Sequence, residues 1–108
     1  MTLTSLTDSL FARFLSTVAT RLVKPTPVSL TSRAVAAPET MSIPTRHGSV
    51  RVFVTRPADE APMAAGLDAP PVHLHFHGGA FLVGAPRQDE HLVRLIAGEV
   101  GATVVNVD

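Results

Sequence analysis

The residues of this chain best suited to chemistry lie together between His73 and Ala80. Three histidines alternate along a largely apolar stretch, and the last of them opens the sequence His77-Gly78-Gly79-Ala80. Paired glycines allow a sharp turn without Cβ clashes, so consecutive backbone N–H groups can point in one direction. Such a set of N–H groups can bind a negative charge that develops during a reaction. The turn is therefore a candidate site for anion stabilisation.

Two other interpretations of this segment are open. A glycine turn between a strand and a helix can be purely structural. His73, His75 and His77 also point to one side of a strand, and three imidazoles could hold a zinc ion. In a straight strand, however, such a set spans about 13 Å, which is too far for one ion. We therefore favour the anion-stabilising turn and expect neither a metal site nor a cofactor.

Patterns on both sides of the turn predict a βαβ unit. Residues 72–77 form a predicted strand, an amphipathic helix follows the turn, and Gly101 is placed to end that helix. The β-branched stretch 102–107 predicts a strand buried on both faces, as in a parallel sheet. Upstream, His47-Gly48 joins two strand-like stretches into a hairpin. The predicted fold class is α/β, with a β-hairpin followed by the βαβ unit.

An amphipathic helix is predicted to precede these strands. Apolar residues recur at helical spacing along residues 5–23, and two prolines shortly afterwards end the pattern. Residues 28–38 have no periodicity and are interpreted as a connector. We expect the apolar stripe of the helix to pack on the chain's own domain. The predicted organisation is a helix and connector over 1–38 and an α/β part over 39–108.

Composition excludes several classes of function. Nine basic and nine acidic residues cancel, which leaves no electric field that would recruit nucleic acid or an anionic membrane. Cysteine is absent, so disulfides and thiolate metal sites are excluded. No apolar run is long enough to span a bilayer, and the first residues lack the basic flank of a secretory signal. We expect a cytoplasmic protein that binds no nucleic acid and has no membrane span.

The segment Phe76-His77-Gly78-Gly79-Ala80-Phe81 resembles the His-Gly-Gly-Gly motif of α/β-hydrolase esterases and lipases, in particular the hormone-sensitive-lipase-like group. Residues 50–58 are similar to the family's second strand, and residues 101–108 are similar to its fourth. The first helix corresponds in position to the family's cap region.

The resemblance implies an oxyanion hole at Gly78, Gly79 and Ala80. The N–H groups of Gly79 and Ala80 would be the donors, and His77 would brace the loop without acting as a base. Ala80 departs from the family's commoner third glycine, and its methyl group narrows the space beside the acyl group.

The same resemblance implies a catalytic triad that this sequence does not contain. In the family the serine lies in a Gly-x-Ser-x-Gly elbow, followed by an acid and a histidine. No such elbow occurs here, so no residue of this chain is assigned a catalytic role. We interpret the chain as the N-terminal part of a serine esterase for small esters, truncated after the fourth strand and inactive alone. The alternative is a non-catalytic βαβ module for binding or assembly.

The family's strand order has a consequence for association. The fourth strand lies between the second and the third, so the third strand, residues 72–77, becomes an open edge when no fifth strand follows. Because an open edge presents unpaired backbone groups, we expect the chain to associate with itself through this strand.

Overall fold

The computed structural model describes residues 3–24, 28–79 and 84–108, which contain a single four-stranded sheet. The regular elements, in chain order, are α1 Leu3–Leu22, β1 Glu39–Thr45, β2 Gly48–Thr55, α2 Pro62–Ala65, β3 Val72–Phe76, α3 Glu90–Leu95 and β4 Thr103–Val107. A 3₁₀ turn over Pro86–Asp89 precedes α3 and a π-helical turn over Ile96–Val100 follows it. We call the whole segment 86–100 the crossover helix. In the described part of the chain, no helix is both long enough and apolar enough to cross a membrane.

The strand order is β1-β2-β4-β3, and it confirms the predicted α/β architecture. β1 pairs with β2, and β2 with β4, in antiparallel fashion, whereas β3 and β4 are parallel. The two parallel strands and the crossover helix between them form the predicted βαβ unit. Within this sheet β4 is central and β3 is an edge strand.

The hairpin forms where the local sequence predicts it. Gly48 has a φ of +112°, a conformation that L-residues with a side chain rarely adopt. The chain therefore turns at His47-Gly48 and leads into β2. Pro44 lies on the edge strand β1 and pairs in register with Ser49 on β2. An edge strand is where a residue without an N–H is best tolerated.

The hydrophobic core lies between the crossover helix and the sheet. Its members come from the connector, the helix and β4, and they are Val35, Val93, Ala97 and Val104, with Ile96 packed against them. Burial of these side chains holds the helix on one face of the sheet. The helix then stops at Gly101, whose φ is +94° and whose N–H donates to the Ile96 carbonyl at 3.0 Å.

The connector is fastened to the end of the crossover helix by a polar cluster. The Arg33 guanidinium donates to Glu99 at 2.6 Å and to the Gly98 carbonyl at 3.1 Å. The Thr31 hydroxyl donates to the other oxygen of Glu99 at 2.7 Å. The Thr31 hydrogen bond and the charge of Arg33 lower the pKa of Glu99 below its usual value. The aperiodic connector is therefore held by side-chain contacts rather than by regular structure.

The described side chains of the apolar stripe of α1 are exposed, so the prediction that the stripe packs on its own domain is wrong. Its large side chains are between 39% and 73% exposed, and they are Leu10, Phe11, Phe14, Leu15, Val18 and Leu22. Near the end of the helix, Thr20 Oγ1 accepts a hydrogen bond from the Gly84 N–H at 3.2 Å. This contact is polar and buries none of the six apolar side chains.

The sheet is covered unevenly at β3 and β4, so β4 is less buried on one of its sides than predicted. Val104 and Asn106 are buried on the side of the crossover helix, whereas Val105 and Val107 on the opposite side are half-buried. Three β3 side chains lie on the same second face and are 59–69% exposed, namely Val72, Leu74 and Phe76. In the described chain the crossover helix covers the first face. The second face is open along β3, whereas Val52 and Val54 of β2, which pair with Val107 and Val105, are buried.

Candidate functional site

Strand β3 directs its histidines toward the crossover helix. His73 and His75 lie on the same face of the strand with ring centroids 6.2 Å apart, and both are half-buried. His75 Nε2 lies 2.9 Å from Asp89 Oδ2. Since a carboxylate accepts, Nε2 carries the proton in this hydrogen bond. This contact ties the 3₁₀ turn that contains Asp89 to β3.

The glycine turn begins directly after β3, as predicted from the sequence. His77 and Gly79 are half-buried, and Gly78 is exposed. Gly79 has a φ of +151°, outside the range that a residue with a Cβ adopts readily, whereas the φ of Gly78 is not positive. The backbone conformation thus requires glycine at one of the two positions. Ala80, the third predicted member of the turn, lies outside the described residues.

Two side chains hold the Gly78 carbonyl. His77 Nδ1 lies 2.8 Å from this oxygen, and Gln88 Nε2 donates to it at 2.7 Å. Because a carbonyl only accepts, Nδ1 is the protonated nitrogen of His77 in this contact. The peptide bond between Gly78 and Gly79 is planar and trans, so the Gly79 N–H points away from the held oxygen. Within the described residues, that N–H meets no hydrogen-bond acceptor.

The 3₁₀ turn Pro86–Asp89 is itself anchored to the sheet. The buried side chain of Asn106 on β4 donates to the Pro86 carbonyl at 2.6 Å, and Asp89 binds His75 on β3. Sequence reasoning assigned no role to Gln88 or Asn106. No short-range pattern marks them, because their partners lie ten and twenty residues away along the chain.

The contacts of His75 and His77 do not support a zinc site. His75 is bound to Asp89, and His77 turns its Nδ1 to its own loop. Among residues 3–24, 28–79 and 84–108, no group of three or more histidine, aspartate or glutamate side chains is arranged to hold a metal ion.

Comparison with known proteins bears on the fold. Residues 73–108, from β3 to the end of the chain, match the family described as alpha/beta hydrolase fold. The chain has the fold of an N-terminal portion of an α/β hydrolase. The search of curated protein sequences found no match.

Solved structures of similar fold include an esterase. The chain is similar over its whole length to an esterase from Pyrobaculum calidifontis, with 26% identity and a TM-score of 0.54, and it covers 30% of that chain. A second similar structure, DphMB1, has 26% identity and a TM-score of 0.55, with 86% of this chain and 27% of that one covered. The chain therefore spans less than a third of the length of these structures, and it corresponds to an N-terminal portion of an esterase fold.

Proposed function

We propose that the turn His77-Gly78-Gly79-Ala80 stabilises the oxyanion in a serine carboxylic-ester hydrolase of which this chain forms the N-terminal part. The observation that carries the proposal is the held carbonyl of Gly78. Because two side chains fix this oxygen, the N–H of Gly79 is aimed in the opposite direction before any substrate arrives. The similarity to the esterase from Pyrobaculum calidifontis gives the reaction class.

The chemistry of ester hydrolysis explains why a fixed N–H is valuable. Attack on the ester carbonyl places negative charge on its oxygen, and a donor that is already aligned binds this charge without reorganising. Removal of one such donor costs roughly 3–4 kcal/mol of transition-state stabilisation in hydrolases. The N–H groups of Gly79 and Ala80 are the proposed donors, and the substrate is a small ester. His77 has the role of holding the Gly78 carbonyl rather than of taking a proton from the nucleophile.

Residues 1–108 alone are expected to have no ester-hydrolase activity. An aligned donor accelerates nothing without a nucleophile and a base, and the sequence has no Gly-x-Ser-x-Gly elbow. The purified chain should hydrolyse p-nitrophenyl butyrate no faster than buffer does. Turnover that persists through repeated purification and is lost in a Gly79→Val variant would contradict this expectation.

The decisive experiment compares two glycines near the turn in the full-length protein. Gly79→Val should lower kcat by about 100-fold, because valine resists the required φ and misaligns the donor, and should leave KM within about threefold. Gly84→Ala is the matched control, since Gly84 has no positive φ and a Cβ there meets no atom within 4 Å. Equal loss of kcat in both variants, or none in either, would refute the oxyanion assignment.

A further inference from the structure

The glycine turn is held by two side chains of very different origin. His77 belongs to the turn, so its hydrogen bond to the Gly78 carbonyl is local and moves with the loop. Gln88 belongs to the 3₁₀ turn of the crossover helix, ten residues further along the chain. Of these two donors, only Gln88 connects the loop to a separate element.

That separate element is fixed to two neighbouring strands. Asn106, 1% exposed on β4, donates to the Pro86 carbonyl, and His75 on β3 binds Asp89. The side chain of Gln88 therefore projects from a segment that is fastened on both sides of its own position. A donor carried by such a segment has a defined location relative to the sheet.

We infer that Gln88 is a positioning residue, whose side-chain amide holds the Gly78 carbonyl and thereby aims the Gly79 N–H. The chemistry of the amide suits this task. It donates a hydrogen bond at 2.7 Å without adding a charge next to the place where negative charge would develop. The carbonyl has two lone pairs, so Gln88 and His77 can bind it together. The catalytic consequence rests on the proposed function, whereas the hold on the carbonyl does not.

The first test measures the hold on the carbonyl in residues 1–108. The Gln88→Glu substitution keeps the shape of the side chain. While the introduced carboxyl is ionised, however, it cannot donate a hydrogen bond to the Gly78 carbonyl. The ¹³C resonance of the Gly78 carbonyl should then move upfield at neutral pH. It should return toward the wild-type position as the pH falls through about 4, where the carboxyl gains a proton and can donate again. Arg87→Ala is the control, since the exposed Arg87 side chain contacts, among the described residues, only Glu90, at 3.9 Å.

The second test measures the consequence in the full-length enzyme. Gln88→Glu should lower kcat at neutral pH by about 10- to 100-fold with KM changed less than about twofold, as expected for a misaligned donor. Arg87→Ala should keep both constants. An unmoved Gly78 resonance, or a shift without recovery at low pH, would overturn the inference.

The two proposals fail in distinguishable ways. A wild-type kcat in Gln88→Glu alongside a large loss in Gly79→Val would overturn the positioning role and leave the oxyanion assignment standing. A wild-type kcat in Gly79→Val would overturn the oxyanion assignment, whatever the Gly78 resonance shows.

Discussion

Gly101 offers a quantitative test of how the crossover helix is joined to β4. Its φ is +94°, and a Cβ added there would lie 2.6 Å from the backbone N of Ala64, 3.1 Å from Ala61 Cβ and 3.2 Å from the backbone N of Met63. A backbone nitrogen cannot swing away as a side chain can. The change Gly101→Ala therefore combines an unfavourable φ with a steric overlap.

The expected loss of stability follows from three contributions. The left-handed conformation costs an L-residue about 1–2 kcal/mol. Overlap with fixed neighbours adds about 1–3 kcal/mol. The reduced freedom of the unfolded chain returns about 0.4–1 kcal/mol. Gly101→Ala should therefore lower the free energy of unfolding by about 3 kcal/mol.

Two other glycines separate the backbone term from the steric term. Gly48 has a φ of +112° but no atom within 4 Å of an added Cβ, so Gly48→Ala should cost about 1 kcal/mol. Gly84 has no positive φ and no atom close to an added Cβ, so Gly84→Ala should be neutral or slightly stabilising.

Urea denaturation followed by far-UV circular dichroism measures this series, since the chain has no tryptophan or tyrosine for fluorescence. Low protein concentration limits association. If Gly101→Ala were no more destabilising than Gly48→Ala, the packing of residues 61–64 against the end of the helix would be refuted. The result bears on the site, because the same helix carries Gln88.

Three further predictions concern acid stability, association and the histidines. Because the pKa of Glu99 is lowered on folding, its contribution to stability is complete above the unfolded value of 4.5 and is lost as the pH falls below it. Glu99→Gln should therefore flatten the decline of Tm below pH 4.5, and an unchanged slope would contradict this. We also propose that the chain associates through the edge strand β3, so that Leu74→Lys on its exposed apolar face lowers the sedimentation coefficient at micromolar concentration. A wild-type chain that is monomeric throughout, with a sharp two-state melt, would exclude this association. In the full-length enzyme, His73→Gln should keep kcat within about threefold and a chelator should have no effect, whereas chelator-sensitive activity would revive the zinc hypothesis.

Much of the architecture could be predicted from local sequence, because local sterics and periodicity decide it. The hairpin at His47-Gly48 and the helix stop at Gly101 both depend on a glycine with positive φ. The alternation of apolar residues marks β3, the β-branched stretch 102–107 marks β4, and helical spacing marks the segment between them. The division of the chain at residue 38 stays a prediction, as do the roles of the glycine turn.

The prediction of burial for α1 failed for a physical reason. Periodicity reports which side of a helix is apolar, but it does not report whether another element lies against that side. The stripe containing Phe11 and Phe14 is therefore correct as a pattern and exposed in the structure. The same reason explains why β4 is less covered on the face of Val105 than its composition suggests.

The sequence by itself determined the glycine turn, its position after a strand and the family that it resembles. Only the tertiary structure decided which groups hold the turn. The contacts of Gln88 with Gly78 and of Asn106 with Pro86 join residues that have no fixed spacing in a regular element. Their distances depend on the register of β3 against β4 and on how the 3₁₀ turn docks on both strands, and neither is encoded in a short stretch of residues. The identity of the turn is thus a local property, whereas its alignment is a property of the packed fold.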